Sequence, residues 1–112
     1  MSGPSILIAA GGTGGHIFPG LALASALRRQ EPSAEVSFVG TPRGLESRII
    51  PDAGYPLHLL DMVPFAGAKR ALVPAAFARA TWQARRLLRQ ERASVAVGMG
   101  GYASIPLVAA YR

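Results

Sequence analysis

Four glycines, a threonine and a histidine stand together in Gly11-Gly12-Thr13-Gly14-Gly15-His16. Glycines let backbone N–H groups come close to an anion, and a following helix N-terminus adds partial positive charge. The flanks supply that context. Ile6 to Ala10 is an apolar run, and Phe18-Pro19-Gly20-Leu21-Ala22-Leu23-Ala24 opens like a helix. Strand, glycine loop and helix start form a phosphate-binding arrangement, in which Thr13 adds a hydroxyl. His16, at the mouth of the loop, belongs to the residue type that titrates nearest neutral pH. Three roles are open to it: general base for a hydroxyl nucleophile, anion ligand, or structural side chain bonded to a neighbouring loop. Anion contact or positioning ranks above base on the residues alone, and His16 is the catalytic candidate of the chain.

The spelling of the loop excludes the two common nucleotide motifs. The dinucleotide fingerprint needs a third glycine where Ile17 stands, and an acid at the end of the second strand, which instead reads Val39-Gly40-Thr41 with Arg43 beyond. No Gly-Lys-Ser/Thr occurs, so the P-loop is excluded as well. A plain strand-to-helix turn is the alternative, and four glycines in five residues are a high entropic cost for one.

Composition narrows the chemistry. The chain has 112 residues, half of them hydrophobic, enough for one small domain with its own core. It lacks cysteine, and its two histidines are His16 and His58, so a metal site made only of protein ligands is not expected. His58 falls in a strand pattern and reads as structural. No apolar run approaches membrane-spanning length, and the start has no basic region followed by an apolar core, which suggests a cytoplasmic protein. Between Lys69 and Arg92, seven basic residues face one acid, Glu91, which accounts for the whole formal net charge of +6. Such a segment reads as a contact for anionic membrane or nucleic acid, or as a solvated helix face. No recognition motif accompanies the charge, so nucleic acid is not expected as a partner.

The elements that must position these residues alternate. Strands are expected over Ser5–Ala10, Glu35–Val39, Leu57–Leu60 and Ser94–Val97. Helices are expected over Pro19–Gln30, Leu45–Pro51, Pro74–Arg92 and from Ser104 to Tyr111, with Asp61 to Ala68 as a loop. Pro19 is placed in the first helical turn, where its missing N–H is not needed. Leu21, Leu23, Ala24 and Leu27 form the buried face of the first helix. Alternation of this kind implies an α/β fold, a Rossmann-like parallel sheet flanked by helices, with ligands beyond the carboxyl ends of the strands. Gly98-Met99-Gly100-Gly101-Tyr102 is a second glycine loop, after the fourth strand, on that same edge. The chain stops at Tyr111-Arg112 inside a predicted helix, so residues 1–112 are expected to be one domain of a longer protein.

Three motifs in order, Gly11 to Ala22, then Gly40-Thr41 with Gly44-Leu45-Glu46, then Gly98-Met-Gly-Gly-Tyr102-Ala-Ser104, closely resemble the MurG family from about Ile6 to Ala110. The resemblance implies the N-terminal, acceptor half of a GT-B glycosyltransferase. Such an enzyme transfers N-acetylglucosamine, with inversion, from UDP-N-acetylglucosamine to a lipid-linked acceptor, undecaprenyl-diphosphate-N-acetylmuramoyl-pentapeptide, in peptidoglycan synthesis. It places Thr13, Gly14 and Gly15 at the donor, and Gly100, Gly101, Tyr102 and Ser104 at the acceptor diphosphate. It implies no cofactor held by protein ligands, leaving room for a divalent cation with the donor diphosphate. It implies a second, donor-binding domain that nothing in these residues supplies, so the chain alone is expected to be inactive. Many family members carry a glycine where this chain has Ile105, before Pro106.

The resemblance also bears on the basic segment. At 100° per residue, Phe77, Ala80, Ala84, Leu87 and Leu88 share one face of the predicted helix, while Trp82, Arg79, Arg85, Arg86, Arg89 and Arg92 lie on the other side. A tryptophan among arginines suits an anionic membrane surface, and an enzyme with a lipid-anchored acceptor would sit on the cytoplasmic face of the plasma membrane. Two other readings stand beside this one: a non-catalytic membrane-recruiting subunit of a split transferase, and an unrelated nucleotide-binding domain.

Overall fold

A computed structural model describes residues 3–10, 14–42, 45–60, 73–100 and 104–111. Its elements are β1 (Ser5–Ala9), α1 (Gly14–Gln30), β2 (Glu35–Gly40), α2 (Glu46–Asp52), β3 (Leu57–Leu59), α3 (Val73–Gln90), β4 (Val95–Gly98) and α4 (Ser104–Ala110). Each expected strand and helix is present, with ends shifted by a residue or two except at the start of α1. The expected loop from Asp61 to Ala68 lies outside the described residues.

The described strands form one parallel sheet in the order β3-β2-β1-β4. Ser5 of β1 pairs with Glu35 of β2, and Ile6 with Val95 of β4. The continuous apolar run of β1 is explained by cover on both faces. Ile6, Ile8 and Ala10 pack with Ile17 and Ala24 of α1, Ile50 of α2, and Val36 and Phe38 of β2. Leu7 and Ala9, on the opposite face, pack with Ala84, Leu87 and Leu88 of α3 and with Leu107 and Ala110 of α4. A single hand of crossover accounts for this division. The chain moves outward from β1 to β3 with α1 and α2 on one face, then returns past β1 to β4, which carries α3 to the other face.

The first helix begins five residues before the expected Pro19, at Gly14, so Pro19 lies inside it. Pro19 cannot donate to the Gly15 carbonyl and removes one bond from the ladder. Against that loss, the added turn buries Ile17 completely, which contributes about 1.5–3 kcal/mol. As a result His16 is the third residue of α1 and lies on a rigid element. Among the first-helix leucines, Leu21, Leu23 and Leu27 are only partly buried beside the fully covered Ala24.

At its other end α3 stops in a Schellman turn. The Ala93 N–H donates to the Leu88 carbonyl at 3.0 Å and the Arg92 N–H to Arg89 at 3.2 Å, with Ala93 packed on the cluster that contains Leu88. The turn requires a left-handed residue, and Arg92 occupies it with φ 51°. Replacing Arg92 by glycine removes that strain and loosens the unfolded chain slightly, for a net gain of about 0.5–1 kcal/mol. The expected result is a higher urea midpoint with an unchanged slope; a lower midpoint would show that the arginine side chain contributes more than its backbone costs.

Candidate functional site

The reversal of strand order leaves a topological switch point between β1 and β4. At such a point the loops after the two strands turn away from each other and open a crevice at the carboxyl edge. The described ends of both glycine motifs, Gly14 and Gly15 at the start of α1 and Gly98 to Gly100 at the end of β4, adjoin the two strands that flank this crevice. The rim beneath it is tightly hydrogen bonded. Met99 N–H donates to the Ala9 carbonyl at 2.8 Å, Ala10 N–H to Val39 at 3.2 Å and Leu60 N–H to Gly40 at 2.8 Å.

His16 reaches across the crevice to the second loop. Gly100 has φ 111°, and a Cβ built there would lie 2.7 Å from His16 Cδ2 and 2.8 Å from Nε2. The imidazole therefore sits directly on the bare Cα of Gly100. Behind it, Ser104 Oγ accepts the Gly100 N–H at 2.9 Å and donates toward the carbonyls of Gly100 at 2.7 Å and Ala9 at 3.3 Å. Ser104 is buried, and it ties the second loop to the end of β1. Gly14 and Gly15 form the first two residues of α1, where backbone N–H groups have no partner within the helix. Thr13, Gly101 and Tyr102 lie outside the described residues. Ile105 is 51 % exposed. Pro106 falls in the first turn of α4, where its ring is tolerated.

A second close approach lies one strand over. Glu46, in the first turn of α2, is fully buried, and its Oε2 accepts the Thr41 N–H at 2.9 Å and the Thr41 hydroxyl at 3.4 Å. Only a glycine fits at position 40, because a Cβ there would stand 2.5 Å from Glu46 Cγ. Sequence reasoning quoted Gly40-Thr41 and Glu46 but gave them no role. A carboxyl side chain five residues after a glycine–threonine strand end was the available signal.

These features sit on a chain whose residues 6–112 match the model of the glycosyltransferase family 28 N-terminal domain. The chain belongs to that family. Curated relatives named UDP-N-acetylglucosamine–N-acetylmuramyl-(pentapeptide) pyrophosphoryl-undecaprenol N-acetylglucosamine transferase include one from Acidithiobacillus ferrooxidans, 54% identical over 92% of this chain and 29% of its own length. Another, from Bdellovibrio bacteriovorus, is 49% identical over 95% of this chain and 30% of its own length. The crystal structure of Acinetobacter baumannii MurG superposes with a TM-score of 0.82 at 32% identity, covering 96% of this chain and 31% of that one. The chain thus spans a little under a third of the length of these relatives. The expected GT-B-type Rossmann-like fold of the family 28 domain is present.

Away from the crevice, α3 of this family 28 domain buries Ala80, Ala84, Leu87 and Leu88 and exposes Arg79, Arg85, Arg86 and Arg89, as the helical spacing predicts. Trp82 is 60 % exposed, with the Arg86 guanidinium 5.7 Å from its ring centre. Leu59, 48 % exposed, shares a shallow groove with Trp82 and Arg86. No described helix is long and apolar enough to cross a membrane. His58 lies in β3 with Nε2 3.7 Å from Glu91 Oε1, beyond hydrogen-bond distance.

The buried Glu46–Thr41 contact yields a stability test. Glu46→Ala strands the Thr41 N–H and is expected to cost about 1–3 kcal/mol in urea unfolding. Glu46→Gln keeps an acceptor oxygen and should cost clearly less. Equal losses for the two variants would mean that charge or packing, rather than the acceptor, holds the strand end.

Proposed function

We propose that this chain is the acceptor-side domain of an inverting glycosyltransferase that moves N-acetylglucosamine from UDP-N-acetylglucosamine to undecaprenyl-diphosphate-N-acetylmuramoyl-pentapeptide. The observation that carries the reading is His16, laid across the β1/β4 switch point from α1 onto Gly100. The names of the relatives supply the substrates. In this reading the N–H groups of Gly14 and Gly15, which have no partner within the helix, serve the donor diphosphate-sugar, and Thr13 contributes its hydroxyl. Gly101 and Tyr102 are assigned to binding the acceptor diphosphate. His16 stands between the two and works on the acceptor hydroxyl, holding it or taking its proton as the sugar bond forms. A second domain completes the cleft around the donor.

The test is a chimaera in which this chain replaces the matching segment of the Acidithiobacillus ferrooxidans relative. The chimaera is expected to transfer N-acetylglucosamine to the lipid-linked acceptor, whereas the 112-residue chain alone is expected to show no turnover. His16→Ala in the chimaera is expected to lower kcat by about 100-fold or more while the melting temperature holds. Unchanged transfer at saturating substrates would remove His16 from the mechanism.

The same reading gives α3 the membrane. Trp82 stands exposed among Arg85, Arg86 and Arg89, with Leu59 beside it, which suits a headgroup layer on the cytoplasmic face. Each arginine near an anionic surface contributes about 1 kcal/mol, and salt screens it. The chain is expected to co-sediment with vesicles rich in anionic lipid and far less with neutral ones. Arg86→Glu with Arg89→Glu should abolish most of that binding, whereas Trp82→Ala should weaken it with little change in its salt dependence. A chain that stays in solution on anionic vesicles at low salt would reduce α3 to a solvated face.

A further inference from the structure

We propose that Gly100 and Ser104 are positioning residues for His16: Ser104 clamps the backbone at Gly100, and the bare Cα of Gly100 is the seat on which the imidazole rests. The inference builds on the reading of His16 as the working group of the crevice. It departs from the expectation that Ser104 touches a diphosphate. An anion needs a donor, and a serine hydroxyl has one proton. The Ser104 proton is aimed at the carbonyls of Gly100 at 2.7 Å and Ala9 at 3.3 Å, while the oxygen takes the Gly100 N–H at 2.9 Å. Three backbone groups on two strand ends thus converge on one buried hydroxyl. What they hold in place is a left-handed glycine at φ 111°.

The fit of ring to glycine is close. A methyl group at position 100 would lie 2.7, 2.8 and 3.2 Å from Cδ2, Nε2 and Cγ of His16. Contact with three ring atoms at once means that the ring lies over the Cα position rather than touching it at one corner. Any side chain at 100 drives the ring away, and with it Nε2, the nitrogen farthest from the helix backbone. Any loosening of the Ser104 clamp lets the seat itself shift. Both effects reach the acceptor only through His16.

Two measurements on the 112-residue chain test the seat. The first is a double-mutant cycle of Gly100→Ala with His16→Ala, read by urea unfolding. The strain of a positive φ is common to both backgrounds, so the difference isolates contact with the ring. Gly100→Ala is expected to shift the unfolding equilibrium roughly tenfold more in the wild type than in the His16→Ala background. Equal shifts would overturn the seat. The second measurement needs no substitution at Gly100. A nuclear Overhauser contact between His16 Hδ2 and the Gly100 Hα protons is expected in the wild type. In Ser104→Ala it is expected to fall several-fold while the β1–β2 amide signals hold. An unchanged contact in Ser104→Ala would overturn the clamp.

The chimaera then separates positioning from ligation. Ser104→Ala is expected to lower kcat with the acceptor KM nearly unchanged, the pattern of an interaction felt in the transition state. A raised acceptor KM with kcat intact would mark Ser104 as a ligand and overturn the assignment. An inactive chimaera with an intact cycle and contact would defeat the transferase reading while leaving the seat in place.

Discussion

Parallel strands accept one hand of crossover, and in this chain that rule acts with most consequence at β1. Because the chain first walks outward to β3 and then returns to the far side of β1, its helices divide between the two faces of the sheet. The same reversal parts the loops after β1 and β4. Every candidate group depends on that parting. The crevice exists because the strand order changes direction there, with the start of α1 on one bank and Gly100 on the other. Neither the buried core nor the basic helix would by itself place a histidine beside the loop after β4.

Close approach is the second theme, and it takes the same form twice. At the end of β2 a missing Cβ lets the Glu46 side chain fold down against the strand and accept the Thr41 N–H. In the loop after β4 a missing Cβ lets an imidazole lie against the backbone. In both places a polar side chain from a helix start is held against a loop or strand end at the sheet's carboxyl edge. The glycine makes that approach sterically free. The helix start supplies a rigid base for the arriving side chain. The rim of the sheet is thereby stiffened by side chains as well as by its ladder.

Much of this was legible in residue order. The run Ile6-Leu7-Ile8 suits a strand covered on both faces, as in a parallel sheet, and the structure places Leu7 on one face and Ile8 on the other. The arginines and small apolar residues of α3 fall on the sides that helical spacing assigns them. The start of α1 was not legible, because Pro19 and the glycines before it argue locally against helix, while the burial of Ile17 that overrides them is tertiary. The partners of Ser104 were equally hidden. One of them, the Ala9 carbonyl, lies 95 residues away in sequence, and no local pattern announces a bond to a main-chain group. Helical spacing also puts Trp82 on the basic side among the arginines, where the Arg86 guanidinium lies 5.7 Å from its ring centre.

The pairing of β1 carries a consequence for the order in which the molecule assembles. Ser5 meets Glu35 across about 30 residues, whereas Ile6 meets Val95 across about 90. Closing the longer loop costs about 1 kcal/mol more chain entropy than closing the shorter. It also requires that synthesis has passed β4. The half of the sheet that carries α1 and α2 is therefore favoured to form first, with one flank of β1 still bare. The arrival of β4 covers that flank and, in the same step, brings Gly100 beneath His16. In this domain the crevice is the last part to be completed, so an anion that needs both of its banks would select chains whose folding has finished.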